Sequence, residues 1–484
     1  MSIKRISITT GIASPGSYDP DTFSPPSFVA AVPNFIDGSD TPRAFLERCL
    51  EVVSEREPQV QAFAFINEEG ARKAADAATK RYHEGRPLSP IDGCPIGFKD
   101  TLETADMPTQ MNSRIYAGWR PNRDAACVHG LRMAGAVILA KTVVPEFAMG
   151  VSGPTRNPFD LRRTPGASSS GSGACVGAGM LPVAIGNQTG GSLIRPSSFN
   201  GIVGFKPTYG ALNIGGMHPI APSQDHIGPM AATLADAWLT AQQISATVGG
   251  HNGHPGLGGS PALPAPVKPK RLAWLHTLGW NELDEGSKAA FDRFLSDMRQ
   301  LGVDIVDQSA STEIAALEKL LEFANEVSND IIMYEGRWPI ASYLEKYGDG
   351  SIGKVILDRI KRGTQMTRDD YCAALSKRNE IRRQVHTVAA LVDGFVTLAS
   401  SGPAPFDQID EAQSRDRPQG HLETGSRSFL SPWSMVGGPS FSLPLLAVDS
   451  MPMGVQLMGV TDSDESLTGI AHWLNNQYDQ RGQQ

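Results

Sequence analysis

The sequence predicts a large α/β domain, and three observations carry that reading. Short apolar runs of strand length, among them PIGF (95–98), AVILA (136–140) and GFVTLAS (394–400), alternate with longer segments of helical periodicity. Helices and strands that alternate in this way layer around one core. With 484 residues, 40% hydrophobic and 19% charged, the chain has ample apolar material for such a core.

Taken in order, residues 1–40 are rich in Pro, Ser and Asp and read as an arm over the surface. A helix is expected from Thr41, with Phe45, Leu46, Cys49, Leu50 and Val53 at helical spacing. Thr41 suits its cap and Pro42 its first turn. A strand-like QAFAFIN run follows, then a polar helix over about 68–84 and the apolar DGCPIGFKDT segment. The next pair is a helix over about 124–134 and a buried strand ending at Lys141-Thr142. After a Gly/Ser-rich centre, a loop feeds a helix in MAATLADAWLTAQQI. Residues 249–271 form a Gly/Pro-rich connection, RLAWLHTLG a strand and 283–301 a helix. From 311 to 383 helical periodicity dominates, as in an insertion or lid. PSFSLPLLA, MGVQLMG and a helix from DSDESL complete the core. The division is therefore an arm over 1–40 and one domain over 41–484, with a variable connection and helical insertion at 247–390.

Composition excludes several classes. A net charge of −8 argues against a nucleic-acid footprint, which calls for a basic face. No uninterrupted apolar run approaches the roughly 18–20 residues that span a bilayer, and the early apolar segment is broken by Ser, Thr and Gly. A cytoplasmic location without membrane attachment is the expectation. Five scattered cysteines with no CxxC pair suggest small buried thiols rather than disulfides or a zinc site. HNGH (251–254) has paired histidines but no acid close in sequence, and reads as a solvated loop. Neither a metal nor a cofactor is expected.

The chemistry concentrates in TPGASSSGSGACVGAGMLPVAIGNQTGGSLIRPSSFNGIVGFKPTYG (164–210). Glycine permits close approach and positive φ, and serine supplies hydroxyls. No G-x-S-x-G elbow occurs, and no histidine lies between His129 and His218, so a Ser-His scheme has little support here. Cys175 and Cys94 lie amid small or apolar residues, which disfavours a cysteine nucleophile. GNQTGGS lacks the lysine of a phosphate loop, and GSGACVG has the wrong spacing for a dinucleotide fingerprint. What GNQTGGS offers is a row of backbone N–H groups ending in a hydroxyl, suited to an oxyanion or to an ordinary turn. Lysine can serve as the base for serine when burial lowers its pKa. Lys99, at the end of the CPIGF run, fits that scheme or the alternative of a lysine snorkelling from a strand end.

These blocks resemble the amidase signature family of serine hydrolases. GCPIGFKD, VHGLRMAGAVILAKTVVPEFAMG, the 164–210 stretch, TRNPFD, SQDHIGPMAATLAD, GGPSFSLP and MGVQLMG each match a family block, and the resemblance spans about 41–475 with gaps. It implies an α/β/α sandwich around a mixed sheet, and a Ser–cis-Ser–Lys triad. By motif position Ser192 resembles the nucleophile, Ser168 the bridging serine on a cis peptide, and Lys99 the base. The oxyanion donors implied are the amides of Thr189, Gly190, Gly191 and Ser192. Ala167 and Ser170 stand where Gly is usual, Gln188 where Asp is usual, and Arg195 one place later than in the common order. Arg195 reads as structural.

The implied activity is hydrolysis of linear amides through an acyl-enzyme, with carbamates (urethanes) or esters as further substrates. The implied partner is thus a small-molecule amide or carbamate, and a homodimer is compatible. The alternatives are a glutaminase subunit of an amidotransferase, working with a partner, and a catalytically silent binding protein on the same fold. The pocket is expected beneath 107–113, 149–153 and the 311–383 helices. Met107, Met111, Phe147 and Met149 are its apolar candidates, with ordinary core packing as the alternative.

Overall fold

The apolar runs do become strands, and they pair into one sheet. In this computed structural model, residues 17–150, 152–251, 253–406 and 424–479 are described. The strands are β1 (Phe63–Ile66), β2 (Pro95–Lys99), β3 (Val137–Thr142), β4 (Val183–Gln188), β5 (Val203–Lys206), β6 (His226–Ala231), β7 (Arg271–Trp274), β8 (Asp304–Val306), β9 (Gly394–Leu398), β10 (Ser440–Val448) and β11 (Met451–Met458). Their order across the sheet is β1-β3-β2-β4-β6-β5-β10-β11-β9-β7-β8. The sheet is mixed: β2 is parallel to β3 and β4, and β7 to β8 and β9, while the other pairs are antiparallel. Every residue of β2, β3 and β4 is buried, as continuous apolar strands covered on both faces should be.

Two details of this frame prepare the site. Adjacent parallel strands β2 and β4 end at Lys99 and Gln188, so the chain leaving each emerges at the same edge of the sheet. That edge is where open α/β sheets gather ligands. Against it lies the helix Ser170–Gly177, and its first turn depends on Gly171. A Cβ there would stand 2.3 Å from the Ala62 carbonyl and 2.4 Å from the Val143 amide. The missing side chain lets the serine-bearing helix start touch the end of β3.

The expected helix at Thr41 is present as Pro42–Val60, with the Thr41 side chain accepting from the Ala44 amide. The 311–383 periodicity resolves into Thr312–Leu321, Ala324–Tyr347, Lys354–Gln365 and Arg368–Ala389. Ile314, Leu317, Ile331 and Ile381 of these helices pack with Phe395 of β9 and Trp433. Ile332, Ile340, Ile356 and Ile360 pack with Met111, Phe147 and Ile220.

The arm over 1–40 needs correcting where it is described. A helix, Phe28–Asp37, is capped by the Ser27 side chain, and its Phe28 and Phe35 are buried among Phe45 and Tyr82. The Pro/Ser composition around it hides three apolar residues at helical spacing. Cys49, Cys94, Cys127 and Cys175 are buried free thiols, but Cys372 is exposed. In the 251–254 loop, His254 Nε2 lies 2.8 Å from Asp462 Oδ1, an acid distant in sequence. Among the described residues no helix is long and apolar enough to cross a membrane.

Phe28→Ala should cost about 3–5 kcal/mol, the usual range for emptying a core phenylalanine site. A urea or thermal unfolding curve checks this. A change within error would show that the 28–37 helix is dispensable to the core.

Candidate active site

Among the described residues three lysines are fully buried in the core, and their partners differ. Lys141 Nζ sits 3.3 Å from Asp100 Oδ1 and donates to Thr109 Oγ1, so its charge is paired. Lys206 Nζ donates to the Gly438 carbonyl at 2.6 Å and lies in the field of Asp464, tying β5 to the chain before β10. Lys99 Nζ donates to Ser168 Oγ at 2.7 Å and to the Asn187 carbonyl at 3.2 Å. Among the described residues no carboxylate bonds to it. Burial pushes the Lys99 amine well below its ordinary range, opposed only by the negative charge of Asp225. Of the three, Lys99 alone donates to a hydroxyl that lines a cavity.

That cavity, about 160 Å³, is lined by Ser168, Thr189, Gly190 and Ser192, with Met149, Ile332 and three arginines. Ser192 is half-buried. Gly191, at φ +146°, lets the chain turn from β4 into the helix Ile194–Phe199. This conformation is strongly unfavourable for a residue with a Cβ, and an added Cβ would also meet Leu430 at 2.7 Å. Among the described residues, no turn, cap or side chain takes up the N–H groups of Thr189, Gly190, Gly191 and Ser192. Four free donors beside a hydroxyl form a cradle for an oxyanion.

Surrounding side chains hold this turn. Gln188 Oε1 accepts from the Leu193 and Ile194 amides at 2.9 and 3.0 Å, and its Nε2 donates to Ser434 Oγ at 2.9 Å. A glutamine thus caps the helix after Ser192 at the position where the resemblance implied an aspartate. Asp225 supplies the other anchor. It accepts from Thr189 Oγ1 at 2.5 Å and from the Ile220 and Ala221 amides. Burial pushes its carboxyl up to about 6 despite these donors. Sequence reasoning misses Asp225 because nothing local marks it. It lies in a matched block, SQDHIGP, but its contact with Thr189 is made by the pairing of β4 with β6.

Other expectations need correcting. No cis peptide bond occurs among the described residues, so Ser168 sits on a trans bond. Its hydroxyl already meets Lys99 in that form, the form peptide bonds ordinarily favour. Of the apolar candidates, Met149 both packs in the core and lines the cavity, whereas Met107, Met111 and Phe147 are core residues that do not line it. Phe147 stacks on Tyr343, and Met107 is completely buried in the main core. Arg195 anchors a distant segment, donating to the carbonyls of Gly425 and Ser426 and to Thr424 Oγ1. The cavity is walled by Pro145, Ala148, Met149, Gly150 and Ser152, and by Ile332 and Arg359 of the 311–383 helices. A second cavity of about 540 Å³ shares Gly150 and Ser152 with it and includes Asn112 from the 107–113 loop. Among the described residues no cluster of His, Cys, Asp or Glu could hold a metal ion.

Fold and site thus describe an α/β protein with a buried lysine and two serines at one sheet edge. The Amidase family model matches residues 44–468, and the chain belongs to that family. It is 31% identical to the A-type subunit of the glutamyl-tRNA(Gln) amidotransferase of Salinispora arenicola, over 90% of this chain and 93% of that one. It superposes on an amidase crystal structure with TM-score 0.81 at 28% identity, covering 94% and 100% of the two chains. The A-type subunit of a Thermotoga maritima glutamyl-tRNA(Gln) amidotransferase superposes with TM-score 0.68 at 25% identity, covering 90% and 91%.

Asp225→Asn should keep the two backbone contacts while removing the negative charge that raises the Lys99 pKa. The acid limb of the kcat/KM profile should move to lower pH, and the two profiles should converge below about pH 6, where Asp225 is itself protonated. An unmoved limb would remove Asp225 from the electrostatics of Lys99.

Proposed function

We propose that the protein hydrolyses carboxylic amides through an acyl-enzyme on Ser192. The observation that carries this reading is the buried, unpaired Lys99 amine 2.7 Å from Ser168 Oγ, in a cavity that Ser168 and Ser192 share. A neutral amine is a base, and burial keeps Lys99 neutral at a pH where an exposed lysine is charged.

On this reading the proton and acyl transfers run through these residues. Lys99 Nζ takes the Ser168 Oγ proton as Ser168 takes the proton of Ser192. The Ser192 oxygen then attacks the acyl carbon, and the carbonyl oxygen gains its charge among the amides of Thr189–Ser192. Loss of one such donor costs about 2.7–4 kcal/mol of transition-state stabilisation. The same chain of hydroxyls run backward protonates the leaving nitrogen as the C–N bond breaks, and water cleaves the ester that remains. Carbamates and esters pass through the same tetrahedral geometry and are reasonable further substrates.

A second reading is favoured by one observation: relatives such as the Salinispora arenicola protein are amidotransferase subunits. On that reading the chain releases ammonia from glutamine and works with a partner subunit. Glutaminase activity of the isolated chain, with co-purification of a second subunit, would support it. A silent scaffold is the third, and labelling of Ser192 by a serine-reactive phosphonate would remove it.

Ser192→Ala and Lys99→Ala should each lower amide turnover by at least about a thousandfold while leaving the unfolding curve in place. Retention of more than a few per cent of activity in either variant would overturn the assignment. In the parent chain, kcat/KM should rise with pH as Lys99 loses its proton, with the rise ending well below the ordinary lysine range. A flat profile from acid to alkaline pH counts against lysine as the base.

A further inference from the structure

Among the described residues, the charged side chains that line the Ser192 cavity are all of one sign. Arg195, Arg359 and Arg427 line it, and no Asp or Glu does so among the described residues. None of the three has an ion-pair partner there. Arg195 spends its fork on two carbonyls and a hydroxyl, and its Nε is buried without a partner. Arg427 donates to Asn329 Oδ1. Its guanidinium lies against the oxyanion turn, with Nη1 2.7 Å from where a Cβ on Gly190 would be. Arg359 makes no hydrogen bond among the described residues, and its Nε too is buried and unpaired.

Four carboxylates of neighbouring elements are committed elsewhere. Asp225 holds Thr189, Glu335 accepts from Ser223 and Tyr371, Glu282 accepts from Ser428, and Glu146 accepts from Ser113 and Gly353 in the adjoining cavity. Desolvation, together with the charge of Arg427, pushes Arg195 down to about 9 and Arg359 to about 10. Desolvated like charges left unpaired are costly. A planar carboxylate is the group whose geometry a guanidinium fork matches.

Resting on the hydrolase reading above, we propose that the substrate is a small amide bearing a carboxylate close to the scissile bond and no ammonium group. Arg427 and Arg359 receive the carboxylate, and the three arginines together repel a cation. The class is the half-amide of a short dicarboxylic acid. Glutamine, which adds an ammonium to the same skeleton, is disfavoured. The small cavity agrees, since sites for drug-sized ligands run to about 300–1,000 Å³.

The experiment uses the full chain and half-amides from malonamate to adipamate, each against the neutral amide of the same chain length. Glutamine and 5-aminopentanamide are compared with glutaramate and pentanamide. At one or more lengths the half-amide should exceed its neutral counterpart in kcat/KM by about tenfold or more, because a site built for a polar group rejects the analogue lacking it. Glutaramate should likewise exceed glutamine, and 5-aminopentanamide should be the poorest of its set. Arg427→Gln and Arg359→Gln should each collapse the half-amide-to-neutral ratio at the best length, and Arg427→Lys should restore part of it. Calorimetry of Ser192→Ala with the matching dicarboxylate gives a readout without turnover. Binding should be saturable and should weaken about tenfold or more when either glutamine substitution is added.

Neutral amides hydrolysed as well as half-amides at every length, or glutamine preferred to glutaramate, would overturn the proposal and leave the hydrolase reading standing. Sulfate binding as tightly as the dicarboxylate would also overturn it. No turnover of any amide and no phosphonate label on Ser192 would instead overturn the hydrolase reading, and calorimetry would then decide the carboxylate site alone.

Discussion

A lysine amine taken out of water must be paired, neutralised or hydrogen-bonded, and the arrangement at the sheet edge follows from how Lys99 meets that demand. Its strand is buried from Pro95 to Lys99, so the side chain cannot reach solvent. Lys141, on the next strand, solves the same problem with Asp100 as a counter-charge. Lys99 has a serine hydroxyl and a carbonyl instead. The difference separates a structural lysine from one whose lone pair is available. Asp225 moderates the effect through its field and reaches the turn at Ser192 through Thr189, so one carboxylate influences both the Lys99 amine and that turn.

Around that amine the fold must bring backbone unusually close together. Gly171 is one place where a side chain would meet backbone, that of Ala62 and Val143 at the start of the serine-bearing helix, and Gly191 in the turn at Ser192 is one where it would meet the Leu430 side chain. Gln188 then fixes the helix after Ser192 by accepting two of its first amides. Although the residue differs from the family's usual acid, the amide oxygen supplies the same acceptor. Its nitrogen adds a donor to Ser434 that a carboxylate could not make.

Much of this is legible along the chain, for identifiable reasons. The apolar runs ending at Lys99 and Thr142 are strands because strand-length burial leaves a local signature. The Thr41–Pro42 start is a helix start because capping is local chemistry. Serine and glycine clustering marks the site for the same reason. The misses have the opposite character. Phe28 and Phe35 sit in a helix that the surrounding Pro/Ser composition disguises. Met107, Met111 and Phe147 are apolar like Met149, but burial against the core or against the cavity is not written in residue type.

Reading along the chain is enough for the α/β class, the family resemblance and the set of hydroxyls, amides and amine gathered near one sheet edge. These depend on periodicity and on motifs a few residues long. The charge and size of the space in front of Ser192 arise only on folding. Arg195, Arg359 and Arg427 come from a helix beside Ser192, a helix of the 311–383 region and the chain before β10, and nothing in their local sequences links them. Their convergence without a carboxylate among the described residues is a consequence of topology, because the field in a cavity sums over residues that meet only when the chain is folded.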